Sequence, residues 1–103
     1  MISKKKALEI IQDSFDSLFR SGMIDEKVII NENTPILGDS SVLDSIAFVT
    51  HFADLEDRLI NLIGDDIYLV LDEINEFDIN SPTLNAGIIS NYIEDKTGKL
   101  NDK

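Results

Sequence analysis

DSIAFVTHFADLEDRLINLIG, from Asp44 to Gly64, is the stretch on which the fold of this chain turns. Asp44 suits an N-cap, because its carboxylate can accept the free backbone N–H groups of a first helical turn. Ile46, Val49, Phe52, Ala53, Leu55, Leu59 and Ile63 follow at helical spacing and are expected to form the inward face of a helix over Ser45 to Leu62. Gly64 supplies its stop. A serine therefore stands at the head of a helix, directly behind the turn-rich segment Gly38-Asp39-Ser40-Ser41.

Upstream, Leu8, Ile11, Phe15, Leu18 and Phe19 recur at steps of three and four and predict an amphipathic helix from Ser3 to Arg20. Ser3 can cap it and Ser21-Gly22 can end it. Lys4 to Lys6 oppose the helix dipole in its first turn. Residues 23–43 read as one long loop. Its apolar islands (Val28, Ile29, Ile30, Ile36, Leu37, Val42, Leu43) suggest that it packs across a bundle, and a loop of this length is often functional. Downstream, Ile67 to Leu71 fits either a buried extended stretch or a short helix, and a short helix is expected around Asp72 to Phe77. Ser81-Pro82 signals the start of a last helix with Leu84, Ile88, Ile89, Tyr92 and Ile93 as its buried stripe, ended by Gly98. The expected class is all-α: a small four-helix bundle of three main helices and one short one, with a long loop between the first two. Residues 1–97 would form the single domain and residues 98–103 a polar tail.

Composition narrows the function. Nine Lys and Arg face twenty Asp and Glu, a formal net charge of -11. Such a field repels nucleic-acid phosphates and anionic lipid headgroups and attracts basic surfaces on partner proteins. The chain has no Cys and one His, His51. Disulfides, a Cys nucleophile and a multi-His metal cluster are thereby excluded. Asp65 and Asp66 lack the alternating oxygen ligands of a calcium loop. No apolar run reaches membrane-spanning length, and no secretory h-region follows the N-terminal lysines, so a cytoplasmic, monomeric protein is expected. His51 reads as a surface or boundary residue, and Asp54 and Arg58, four apart, can pair.

The segment Leu43-Asp44-Ser45-Ile46 resembles the Asp-Ser-Leu attachment motif of the acyl carrier protein family, with Ile46 in the leucine place. Leu37-Gly38, Val49, Leu55-Glu56-Asp57-Arg58-Leu59 and the final Tyr92-Ile93 extend the likeness. Thr50 stands where many fatty-acid carriers have glutamate, which points to a specialised member. The resemblance implies a 4'-phosphopantetheine arm, taken from coenzyme A, on Ser45. It implies that the protein carries an acyl group for biosynthetic enzymes of fatty-acid, polyketide or other specialised lipid and secondary metabolism and is no enzyme itself. The partners it implies are a phosphopantetheinyl transferase, acyl ligases or acyltransferases, and condensing enzymes with basic docking patches. Asp44, Ile46, Asp54, Glu56 and Asp57 would meet them, while Phe48, Phe52 and Leu71 could line a sheltered acyl chain.

Other readings remain. Asp44-Ser45 is also an ordinary cap followed by a first-turn residue, and Asp39-Ser40 is a rival Asp-Ser pair in poorer phase with the helix. The acidic run from Asp54 to Asp57 is equally a solvated helix face. The alternative is thus an acidic helical interaction module without a prosthetic group. A hydrolase is the weakest reading, because His51 has no evident nucleophile to orient it.

Overall fold

Ser3 opens the first helix, its hydroxyl accepting the Lys6 N–H at 3.1 Å, and Gly22 closes it in the left-handed region at φ 83°. The computed structural model describes residues 2–74, 77, 78, 80 and 83–100. In chain order these form α1 (Lys4–Ser21), β1 (Pro35–Leu37), α2 (Ser45–Ile63), a single 3-10 turn (Leu71–Glu73), β2 (Leu84–Asn85) and α3 (Ala86–Leu100). The fold is mostly helical. α1 packs against both α2 and α3. Ile11, Phe15, Leu55, Leu59, Ile89 and Ile93, all essentially inaccessible, make the centre of the core. Burying each such side chain stabilises the fold by about 1.5–3 kcal/mol.

The long loop crosses the bundle as its apolar islands suggest. Ile24, Ile36 and Leu43 are buried, although Ile29 stands 74% exposed. Gln12 on α1 clamps the loop with its amide, donating to the Val28 carbonyl at 2.8 Å and accepting from the Ile30 N–H at 2.7 Å. The unexpected feature is the small antiparallel ribbon, in which Pro35 faces Asn85 and Leu37 faces Leu84. Strands of three and two residues are too short to print a two-residue period on the sequence.

The ribbon also fixes where α3 begins. The Ala86 and Gly87 N–H groups donate to the Thr34 and Glu32 carbonyls at 2.9 and 2.8 Å, and the Asn85 side chain accepts from the Ile88 N–H at 2.9 Å. A Cβ on Gly87 would lie 2.9 Å from the Glu32 carbonyl oxygen, so only glycine permits this approach. The lysines at the head of α1 find local uses. The Lys4 ammonium pairs with Glu32, and the Lys4 backbone N–H donates to the Glu94 carboxylate at 2.9 Å.

Four expectations change. α3 starts at Ala86, and Ser81 and Pro82, on which the earlier start rests, lie outside the described residues. Gly98 does not end α3, which continues to Leu100. The helix expected over Asp72 to Phe77 is the one 3-10 turn, with residues 75 and 76 outside the described set. Three α-helices and a ribbon therefore stand among the described residues where four helices are expected. The fourth change is rotational. α2 buries Ala47, Phe48, His51, Leu55 and Leu59, while Ile46 and Val49, placed inward by the sequence, are 72% and 66% exposed. Apolar residues occupy both sides of α2, so spacing alone offers two phases, and a buried histidine disguises the correct one.

After α2 the chain runs without regular secondary structure from Ile67 to Val70, with Ile67 and Leu69 buried. It is pinned at both sides: the Leu69 N–H donates to Glu56 on α2 at 2.8 Å, and the Val70 N–H donates to the Tyr92 hydroxyl on α3 at 2.9 Å. Tyr92 in turn donates to Glu73 at 2.6 Å, and Lys96 bonds the same carboxylate at 2.5 Å. Burial and the neighbouring Glu73 push the Tyr92 hydroxyl up to about 12, so it stays a donor at neutral pH.

Candidate functional site

Ser45 is the first residue of α2 and is exposed. Asp44 sets that position: its carboxylate accepts the Ala47 N–H at 2.8 Å, and its carbonyl accepts the Phe48 N–H at 2.8 Å. The approach to the helix is fixed as well. Ser41 donates its hydroxyl to the Ile36 carbonyl at 2.8 Å and accepts from the Leu43 N–H at 3.0 Å, while Leu43 is buried as an anchor. The amides of Ser45 and Ile46, like those of any first turn, have no intrahelical acceptor and point their positive ends at whatever sits on the serine.

An open depression of about 560 Å³ adjoins the serine, with Ser45, Asp44 and Leu43 on one side and Leu37, Gly38, Asp39, Asn80 and Thr83 on the other. Asp39-Ser40 lies in the turn before the helix, so its serine has no helix behind it. An exposed hydroxyl, two free amides and an adjoining trough fit a covalent phosphodiester with a long organic arm. No hydrogen bond joins the Ser45 hydroxyl to a basic side chain among the described residues.

The acidic residues separate into two groups. Asp54 bonds Arg58 at 2.7 Å, and Arg58 reaches across to the Ser17 hydroxyl on α1 at 2.7 Å. Partial burial raises the Asp54 pKa, but the Arg58 hydrogen bond and charge outweigh it and hold the carboxyl below its ordinary range. Glu56 holds the Leu69 N–H. Of the four acidic residues expected to meet partners, only Asp44 and Asp57 are exposed. The outward stripe of α2 is therefore Ile46, Val49, Thr50, Ala53 and Asp57, apolar at the serine end with a single carboxylate two turns further on. Phe48 and Phe52 stack on each other, with centroids 5.3 Å apart and planes at 28°.

His51 is not at the surface. It is fully buried, its Nδ1 lies 2.8 Å from the Ser14 hydroxyl of α1, and Phe15 meets its ring edge-on at 4.9 Å. Nε2 has no hydrogen-bond partner. Desolvation lowers its pKa to about 4, with the nearby Asp54 charge opposing and Arg58 assisting. Ser14 and His51 form the one pair with nucleophile-and-base geometry among the described residues. Both are inaccessible, so the pair joins α1 to α2 and cannot meet a substrate. Position 14 is in phase with the apolar stripe of α1, but position 51 falls in phase only with the face of α2 that the structure buries.

Among the described residues no group of three or more His, Asp or Glu side chains could hold a metal ion, and no helix is long and apolar enough to cross a membrane. Comparison with family models, with curated proteins and with solved structures finds no match to this chain.

Proposed function

We propose that this chain is a carrier protein of the acyl carrier type, with a 4'-phosphopantetheine arm esterified to Ser45. The observation that carries the reading is the exposed Ser45 at the first position of α2, on the wall of an open trough. The motif Asp44-Ser45-Ile46 supports the reading, and the cap at Asp44 puts its serine at the helix head. Asp44 holds the helix head in register, and the Ser45 and Ile46 amides face an ester-linked phosphate. Like charge on Asp39 and Asp44 favours a phosphate turned to solvent. When bound, the arm supplies a terminal thiol that holds an acyl group as a thioester.

The partners would be a phosphopantetheinyl transferase, an acyl ligase or acyltransferase, and condensing enzymes. Ile46, Val49 and Asp57 are the surface they would read. The net charge of -11 draws basic partners in, while the apolar residues supply contact area. Asp54 and Glu56 contribute to that field, but their hydrogen bonds are internal.

Incubation with coenzyme A and a broad-specificity phosphopantetheinyl transferase tests the reading by intact mass. One added arm is expected on the native chain and on Ser40→Ala, and none on Ser45→Ala. An unchanged mass for the native chain would overturn the reading and favour an interaction module that uses the Ile46–Val49 patch alone.

A further inference from the structure

The trough beside Ser45 does not stop at the serine. A second depression of about 350 Å³ shares Leu37, Gly38, Asp39 and Thr83 with the first and continues over the ribbon to Pro35, Asn85 and Ile88. Together they form one furrow that starts at the head of α2 and ends at the first turn of α3. Each part falls in the size range of small-molecule clefts, roughly 300–1,000 Å³. Its lining mixes apolar Leu37, Leu84 and Ile88 with polar Asp39, Thr83 and Asn85.

We infer that the arm on Ser45 rests in this ribbon furrow and does not pass between α2 and α3; the inference rests on the carrier reading. A pantetheine arm alternates an apolar dimethyl segment with two amides, and the furrow offers apolar contact together with hydrogen-bonding groups. The opposite route is closed by named contacts. The segment Ile67–Val70 is tied to both α2 and α3, held by the Glu56 carboxylate and the Tyr92 hydroxyl. Behind it Phe48 is buried and stacked on Phe52. An arm entering there must displace the Leu69 and Val70 N–H groups from the Glu56 carboxylate and the Tyr92 hydroxyl, whereas the ribbon furrow is open. The ribbon thereby acquires a role: it fixes the surface on which the arm lies, and Thr83 is the side chain best placed to block it.

The test compares amide NMR spectra of the apo-protein and of the protein loaded by transferase and coenzyme A, with intact mass confirming one arm per chain. The expected result is shifted amides at Gly38, Asp39, Thr83, Leu84 and Ile88, in addition to Ser45 and Ile46. In Thr83→Tyr, read on protein that intact mass shows to be loaded, the shifts beyond the serine are lost. Asn91→Tyr, an exposed position elsewhere on α3, leaves them in place. Shifts at Phe52, Leu69 and Val70 instead, or shifts confined to the neighbours of Ser45, overturn the inference while leaving the carrier reading intact. Failure of the native chain to gain mass overturns both. The comparison within the native chain stands alone if the tyrosine variant does not fold.

Discussion

Replacing His51 by phenylalanine should remove an acid-sensitive component from the stability of this protein. The neutral imidazole is fully buried against Ser14 and Phe15, and its pKa falls from 6.5 to about 4 on folding. Above about pH 6.5 both folded and unfolded states hold the ring neutral, so the contribution is complete. Between about pH 6.5 and 4 the unfolded chain takes up a proton that the folded chain refuses, and stability declines as pH falls. Below about pH 4 both states are charged and the loss is finished. At about 1.4 kcal/mol per unit, the full difference is about 3 kcal/mol. Asp54 and Arg58 flank the ring, and their opposing charges are already included in that shift. Urea unfolding followed by circular dichroism, at several pH values across the window, measures the effect. Carboxylates impose their own slope on both proteins, so the quantity to read is the native-minus-variant difference. That difference should fall by about 3 kcal/mol from neutral pH to pH 4. In His51→Phe the Ser14 hydroxyl can turn to the carbonyl four residues back on its own helix. Parallel curves for the two proteins, or an NMR titration of His51 near its ordinary value in the folded state, would refute the reasoning.

Other perturbations test the scaffold. Asp44→Ala removes the acceptor of the Ala47 N–H and should cost about 1 kcal/mol in thermal or urea unfolding. Gly87→Ala drives a Cβ to within 2.9 Å of the Glu32 backbone oxygen and should destabilise by about 1–3 kcal/mol, with amide shifts spreading to Glu32 and Thr34. Tyr92→Phe deletes the acceptor of the Val70 N–H. Hydrogen exchange at that amide should accelerate, while transferase loading of Ser45 is unchanged. A Val70 amide that stays equally protected would mean the Ile67–Val70 segment is held by packing alone.

Much of the scaffold was legible in local chemistry. Ser3 and Asp44 as caps, Gly22 and Gly64 as stops, and the Asp54–Arg58 pair all act within one or two helical turns, so the sequence contains both partners side by side. Ser45 belongs to this class, since its place at the head of α2 follows from the cap before it. The apolar islands of the loop were readable in part: Ile36 and Leu43 are buried, whereas Ile29 and Val42 stay exposed.

Three things needed the tertiary structure. The phase of α2 was decided by which of two apolar stripes found α1, and that turned Ile46 and Val49 outward and drew His51 in to Ser14, thirty-seven residues away. The ribbon and the start of α3 were decided by hydrogen bonds between the loop near Glu32–Leu37 and residues 84–87, a pairing that leaves no periodic trace in either segment. Glu56 was decided by the backbone of Leu69, which claims its carboxylate. Caps, stops and helical periods are short-range, and a sequence states them directly. Register between distant segments is a competition among long-range contacts, and only the folded chain resolves it.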